Sequence, residues 1–331
     1  MRKPEGSILI VSLWTLAILF LLSIGLAYRV GLELRMTRYA EERLKTFYIA
    51  KAGLSRAMAL LQKDSAEGPN SLRDKWGGEE SLFKEKAVGD GFFSVSYALG
   101  EKTERKEVRY GMQDEESRIP LNLADAAILQ KVPGVDEAVA LSIRAWRGDK
   151  ALTPEELARE DDYYASLTKP YPRKGKPFET FEELLFVRGV TPSLFEAMEN
   201  DFTVYGSGKV NLNTASKKTL ELLGLEETIA QRIIEARKGE DGLLGTEDDV
   251  VLEKVNDPVS SPNLIDLLGL DTNQQLALSN FLSTRPGPEM LAVQSTAFRV
   301  QVEGKLRQGN VRKKIVAVVD RQKRIRYWHE D

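Results

Sequence analysis

Polar and apolar residues divide the chain into stretches of three kinds. The first is a run without charge. From Ser7 to Tyr28 the sequence SILIVSLWTLAILFLLSIGLAY contains no Asp, Glu, Lys, Arg or His. Its apolar side chains surround the helix axis and leave no polar face, a pattern that suits lipid better than a core with one wet side. At about 1.5 Å per residue the run reaches roughly 33 Å, enough to cross a bilayer core. A cleavable signal peptide has a shorter apolar stretch, about 7–15 residues, and then a small-x-small site. Here AYRVGLELRM follows instead. The pattern predicts a membrane-spanning segment over 7–28.

The second pattern has helical period. The next proline after Pro4 is Pro69, and Gly25, Gly31 and Gly53 stand singly. Phe47, Ala50, Leu54, Met58 and Leu61 form one apolar stripe, and Lys45, Lys51, Arg56 and Lys63 fall away from it. One continuous helix over about 7–63 is expected, with residues 29–66 outside the membrane and its last part packed on a globular domain. SAEGPNSLRDKWGGEE then ends it.

The third pattern alternates. GFFSVSYALG and RKEVRYGM flank the charged GEKTERK and read as a hairpin. Near the end Phe298, Val300 and Val302 share one face, and a second strand runs from Val311 to Val319 after the turn RQGN. Helical sequence fills the interval. The expectation is an α+β protein: a long N-terminal helix packed on an antiparallel sheet built from 90–115 and 295–331, interrupted by an inserted all-α domain at 116–290.

The insert contains a repeat. IPLNLADAAILQKVPGVDEAVALSIRAWR aligns with VNLNTASKKTLELLGLEETIAQRIIEARK, pairing Asn122 with Asn213, Gly134 with Gly224 and Ile143 with Ile233. Each unit reads helix, hydrophobic-Gly-hydrophobic turn, helix, and each is followed by a weaker second unit. This divides the insert into related halves, 116–205 and 206–290, of helix-hairpin-helix or SAM-like repeats.

Composition narrows the chemistry. The 331 residues carry a net charge of -3 and no cysteine, which excludes disulfides, thiolate catalysis, Cys-ligated metals and a lipoprotein anchor. The single histidine, His329, lies almost at the C-terminus, a poor place for a triad or a metal site. No Gly-rich phosphate loop or GxSxG is present, so no enzymatic activity is expected. The repeats resemble the helix-hairpin-helix modules of DNA-binding proteins, where hairpin amides and basic residues meet phosphates. Here VPGVDEAV and LLGLEETI each place two acids at that position, against the electrostatic term that drives such binding. A membrane-anchored, competence-type DNA-binding protein is the alternative; no nucleic acid is expected.

In their order along the chain, EGSILIVSLWTLAILFLL, PLNLADAAILQKVPGVDEAVALSIRAWR, REDDYYASLTKPYPRKGKPFETFEELLFVRGVT, GKVNLNTAS and the terminal strands resemble the K-type minor pseudopilins of type II secretion, the general secretion pathway protein K family. The resemblance implies a prepilin leader, residues 1–6, cut between Gly6 and Ser7 by the prepilin peptidase, with N-methylation of Ser7. It implies a single-pass inner-membrane protein with its bulk in the periplasm. It further implies a subunit at the tip of the pseudopilus, bound to minor pseudopilins I and J and other pseudopilins and initiating or capping assembly for protein export. Most pilin-like subunits carry Glu at the fifth mature position; counted from Ser7 that position is Val11, and K-type members share this lack. A buried carboxylate in lipid is costly without a partner, and a tip subunit has no earlier neighbour to supply one.

Three features remain. KGEDGLLGTEDDVVLE gathers Glu240, Asp241, Glu247, Asp248 and Asp249 around glycines, without the spacing of an EF-hand loop. A solvated acidic loop is the plain reading; K-type pseudopilins are associated with calcium, so the resemblance implies a structural Ca²⁺ on Asp241, Glu247, Asp248 and Asp249. The acids Glu160, Asp161 and Asp162 read as a helix end. DDYYASLTKPYPRKGKP is either a partner contact or a lid over a helix pair, and the basic C-terminal strand offers an edge for pairing with neighbouring pseudopilins.

Overall fold

A computed structural model describes residues 7–64, 68–99, 107–255, 268–283 and 287–331. The leader 1–6 with Gly6, the whole of GEKTERK, and residues 260–267 of the last repeat unit lie outside the described residues.

Helix α1 runs unbroken from Ser7 to Lys63. Its final third is amphipathic as the sequence predicts. Ala50, Leu54 and Leu61 are buried together with Ile49, Gly53 and Ala57, while Lys45, Lys51, Arg56 and Lys63 are exposed. Two one-turn helices follow, α2 (Lys75–Gly78) and α3 (Glu80–Phe83). Trp76 and Phe83, both fully buried, close the bottom of the same core.

Five short strands come next: β1 (Lys86–Val88), β2 (Gly91–Val95), β3 (Tyr97–Leu99), β4 (Glu107–Arg109) and β5 (Gln113–Asp114). The expected hairpin is split. Strand β2 pairs with the C-terminal strand β10 (Ala297–Leu306) as far as Val95 opposite Val302. Only β3 pairs with β4, as a separate ribbon. The reason is a local anchor: Tyr97 is buried and its hydroxyl donates to the Gly77 carbonyl at 2.7 Å, drawing the chain off the sheet.

The main sheet has the order β1-β2-β10-β11-β12, all antiparallel, with β11 at Arg312–Asp320 and β12 at Ile325–Glu330. Strand β5 joins β10 at Phe298 and Arg299. Phe298, Val300 and Val302 face α1, each fully buried. Two glycines let helix and strand approach closely: a Cβ at Gly53 would lie 2.7 Å from the Phe93 ring and the Val302 methyl, and one at Gly304 would lie 2.7 Å from the Ala50 amide nitrogen. β12 ends the order and is an edge strand among the described residues.

Between β5 and β10 the chain is mainly helical. The first half contains β6 (Ile119–Pro120), α4 (Ala126–Leu129), α5 (Glu137–Trp146), α6 (Pro154–Ser166), α7 (Pro192–Glu199) and β7 (Phe202–Thr203). The second contains β8 (Val210–Asn211), α8 (Lys217–Leu223), α9 (Glu227–Arg237), α10 (Thr272–Ser283), α11 (Gly287–Met290) and β9 (Leu291–Ala292). Each half closes on itself, because its first strand pairs in parallel with its last: Ile119 with Phe202, and Val210 with Leu291. Capping side chains start the helices, Asp125 on Ile128 N, Asp136 on Val139 N and Ser216 on Thr219 N. Gly134 and Gly224 take the left-handed turn between the helices of each pair, at φ 92° and 112°, where a side chain would be strained.

The halves share their fastenings as well. Asn122 exchanges two hydrogen bonds with the Phe178 backbone, at 2.9 and 2.8 Å; Asn213 does the same with Leu252, at 2.9 and 2.9 Å. Arg147 donates to the Leu121 carbonyl and Arg237 to that of Ala215, both at 2.6 Å. Buried apolar residues accordingly form two clusters, one under α1 and the sheet and one running from Ile119 to Leu291.

Candidate functional site: stem, acidic loop and buried joint

The exposed part of α1 is the most distinctive surface. From Ile8 to Lys45 almost every residue is open, including Val11, Trp14, Phe20 and Leu22. Three hydroxyls within the uncharged run return to the helix's own carbonyls: Ser12 to Leu9 at 2.9 Å, Thr15 to Ser12 at 2.9 Å and Ser23 to Leu19 at 2.8 Å. Such internal satisfaction is what hydrocarbon surroundings demand. The first ion pair, Arg29 with Glu33 at 3.2 Å, lies beyond the uncharged run.

The acidic loop after α9 folds on its own amides. Asp248 Oδ2 accepts from Glu240 N at 2.8 Å and Asp241 N at 3.0 Å, and its Oδ1 from the Thr246 hydroxyl at 2.7 Å. These bonds hold its carboxyl below the usual carboxylate range. Asp249 is buried and accepts from Gly245 N at 2.6 Å and Thr246 at 3.1 Å; Asp241 accepts from Leu243 N at 2.7 Å. Arg73 fastens the loop to the sheet side by donating to the Glu247 and Asp249 carbonyls, each at 3.3 Å, and Arg109 donates to that of Leu244. The structure therefore places Asp241, Asp248 and Asp249 in one tight loop, but each carboxylate serves the loop itself, and Glu247 contributes its backbone. Among the described residues no group of three or more His, Cys, Asp or Glu is arranged to hold a metal ion.

The aromatic stretch is a lid. Trp146, Tyr164, Tyr171 and Phe186 meet edge-on or tilted with centroids 5.3–6.3 Å apart, and the Tyr171 hydroxyl donates to the Phe186 carbonyl at 2.9 Å. Arg173 pins the lid, bonding Asp161 and the Ala145 carbonyl. Asp161 thus belongs to a fastening, and Glu160 accepts from Arg188 at 3.2 Å.

A joint of charged residues sits where sheet and helical region meet. Asp114, Glu115 and Glu116 are consecutive and all buried. Glu115 takes the side-on fork of Arg299, Nε and Nη2 each at 2.9 Å, with Arg118 at 3.3 Å and the Thr203 hydroxyl at 2.8 Å. Burial pushes the Glu115 carboxyl up, yet Arg299 and Arg118 outweigh it and hold it at about 2. Asp114 reaches Asn211, Thr214 and Ser295, and Glu116 reaches Ser207 and Thr296.

The family model of type II secretion system protein K matches residues 120–207. That stretch begins on β6 and ends just past β7, so it is the half those two strands close. Protein K of the type II secretion system of Aeromonas hydrophila is 26% identical over 265 residues, 71% of this chain and 76% of that one. The chain is a homologue of type II secretion system protein K.

A solved structure agrees at the level of fold. In the crystal structure of the GspK-GspI-GspJ complex from the enterotoxigenic Escherichia coli type 2 secretion system, the matching chain superposes with a TM-score of 0.59 at 15% identity. The match covers 89% of this chain and 99% of that one. In this protein K homologue the hairpin positions where a DNA phosphate would sit carry Asp136 and Glu137, and Glu226 and Glu227, at the starts of α5 and α9. Asp136 already occupies the Val139 amide at 2.8 Å, and the competence-type alternative gains no support. Sequence reasoning missed the joint. QDEESR carries no period or motif of its own, and the one available signal was its place between a strand and the first helix of the insert.

Proposed function

We propose that this protein K homologue is a minor pseudopilin at the tip of the type II secretion pseudopilus, with assembly rather than catalysis as its task. One observation carries the reading. A single unbroken helix begins at Ser7, leaves its uncharged first part wholly exposed, and packs its last third on an antiparallel sheet interrupted by a large helical region. Such a helix can stand in a membrane and afterwards serve as the stem of a fibre subunit. The reading includes cleavage between Gly6 and Ser7 by the prepilin peptidase, methylation of Ser7, residence in the bacterial inner membrane and a head in the periplasm. It gives Val11 to the tip, where no preceding subunit would pair a carboxylate in lipid. The inserted helix-hairpin-helix or SAM-like region forms the cap, and minor pseudopilins I and J are the partners; the fold shared with a chain of the E. coli GspK-GspI-GspJ complex supports that choice.

Co-expression of the full chain with the I and J pseudopilins and prepilin peptidase of the same source checks this. Detergent extraction should yield a three-protein complex in which this chain starts at Ser7. A chain that starts at Met1, or one that elutes without either partner, contradicts the proposal.

The proposal also includes a structural Ca²⁺ on the loop of Asp241, Glu247, Asp248 and Asp249. The donors are hard oxygens of the type calcium takes, six to eight at a time. Because Asp248 and Asp249 now hold loop amides, uptake must exchange those bonds, so affinity should be modest. Calorimetric titration of the full chain in detergent with Ca²⁺ should give binding heat and a raised unfolding temperature, both reduced in Asp248→Asn. No heat and no thermal shift would remove calcium from the account.

A further inference from the structure

The buried joint is short of positive charge. Three carboxylates, Asp114, Glu115 and Glu116, face two guanidinium groups, Arg118 and Arg299, and both guanidinium groups bond Glu115. Asp114 has only neutral partners. Its Oδ2 accepts from the Thr214 hydroxyl at 2.5 Å, the Ser295 hydroxyl at 2.6 Å and Asn211 Nδ2 at 3.1 Å, and its Oδ1 from the Glu116 amide at 2.8 Å. Glu116 Oε1 accepts from Ser207 N at 2.7 Å and from the Thr296 hydroxyl and amide at 2.6 and 3.2 Å; its Oε2 is buried with no hydrogen-bond partner.

Glu199, at the end of α7, also acts on Arg118 and Arg299 and adds to the negative side of the joint, whereas other nearby charges are committed elsewhere. Arg321, beyond β11, bonds Asp64 at 3.2 Å and reaches only the backbone carbonyl of Ser295, at 3.3 Å. Asp74, on the segment after α1, accepts from Trp76 at 2.9 Å and from Ser71 N at 3.1 Å. Lys218 pairs with Asp201 at 2.5 Å. With every carboxyl ionised, the joint keeps more negative charge than positive.

We propose that buried Asp114, with only neutral partners, is a proton-binding site, and that its one proton governs how firmly the helical region is tied to the sheet. The surroundings can receive it. The Ser295 and Thr214 hydroxyls can rotate to accept a hydrogen bond from neutral Asp114, since a hydroxyl carries both donor and lone pairs. Neutralisation also ends the repulsion between Asp114 and Glu116. Asp114 is tied at once to β8, to the turn after it and to the segment leading into β10, so its state is felt by both the helical region and the sheet.

Burial pushes the Asp114 carboxyl up to about 6, against the pull of the Ser295 and Thr214 hydroxyls. A raised folded value means that the folded chain holds this proton more tightly than the unfolded one. The stabilisation is fully present below the ordinary value of 3.8 and is lost as pH rises through about 6. Glu115 acts in the opposite direction, losing its contribution as pH falls from 4.5 towards about 2.

The test is isotope-edited infrared titration of the full chain in detergent, following carboxyl C=O absorption. One carboxyl should lose its proton near pH 6, and Asp114→Asn should abolish that step. Ser295→Ala and Thr214→Val should each move its midpoint upward, by about half a unit to one unit, since each removes a donor to the charged form. They also keep the proposal testable if Asp114→Asn does not fold. The proposal is overturned if all carboxyls ionise below pH 5, if the step persists in Asp114→Asn, or if neither donor variant moves it.

Discussion

Replacing Arg299 by alanine should destabilise the folded chain by about 3–5 kcal/mol, the range seen when one member of a buried ion pair is removed and the other stays behind. Glu115 is wholly buried, and Arg299 gives it two parallel hydrogen bonds of 2.9 Å from β10. In Arg299→Ala the carboxylate keeps only Arg118 at 3.3 Å and the Thr203 hydroxyl. Its carboxyl should then rise from about 2, so acid unfolding begins at higher pH. The sign follows from the lowered folded value: the contribution is present above 4.5 and lost on the way down to about 2, and the variant gives it up sooner. Arg299→Lys keeps the charge but not the planar fork and should fall between alanine and the native residue. Urea unfolding of the full chain in detergent at pH 7.5 and pH 4 measures both effects. A loss below about 1 kcal/mol, the scale of an exposed pair, would show that the joint contributes little.

The second large effect is expected from Gly304→Val. A Cβ on residue 304 would stand 2.7 Å from the Ala50 amide nitrogen, 3.1 Å from the Ala50 Cβ, and closer still to the Thr46 carbonyl oxygen. Two of these three atoms are helix backbone, which cannot turn aside as a side chain can. Helix α1 must therefore lift from β10, opening the core of Leu54, Phe93, Val300 and Val302. Overpacking of this kind costs about 1–3 kcal/mol, and the upper end is expected where backbone is the obstacle. Gly53→Ala is the comparison. Its new methyl meets the Phe93 ring and a Val302 methyl, side chains able to shift, so its loss should be clearly smaller. Equal losses in the two variants, measured by urea unfolding, would refute the explanation. Protease cleavage within residues 45–63 should be faster in Gly304→Val alone.

Legibility differed from one part of the molecule to another. The stem was visible because 22 consecutive uncharged residues leave little else for the chain to do there. The stripe of Ala50, Leu54 and Leu61 and the alternation of Phe298, Val300 and Val302 were legible because one face of each element is dry. The internal repeat was legible for a different reason: a hairpin of two helices needs its glycine and its apolar neighbours wherever it occurs. The split of GFFSVSYALG was hidden, since Val95 and Tyr97 both look like strand residues. Only the carbonyl of Gly77, brought near by folding, draws Tyr97 away. The aromatic loop could be read two ways until Arg173 and the ring stack showed it held down as a lid.

The sequence by itself determined the long helix with its lipid-compatible start, the interruption of a β-domain by helices, and the two related units within that interruption. These depend on local period and composition, which each segment carries alone. Tertiary structure decided how the pieces are joined. Glu115 meets Arg299 across 184 positions, and Asp114 meets Thr214 across 100. Neither pairing leaves a periodic trace, because a buried charge differs from a solvated one only through what surrounds it after folding. The same holds for the acidic loop, where Asp248 and Asp249 read as free ligands in the sequence and become acceptors for their own backbone once the loop has closed.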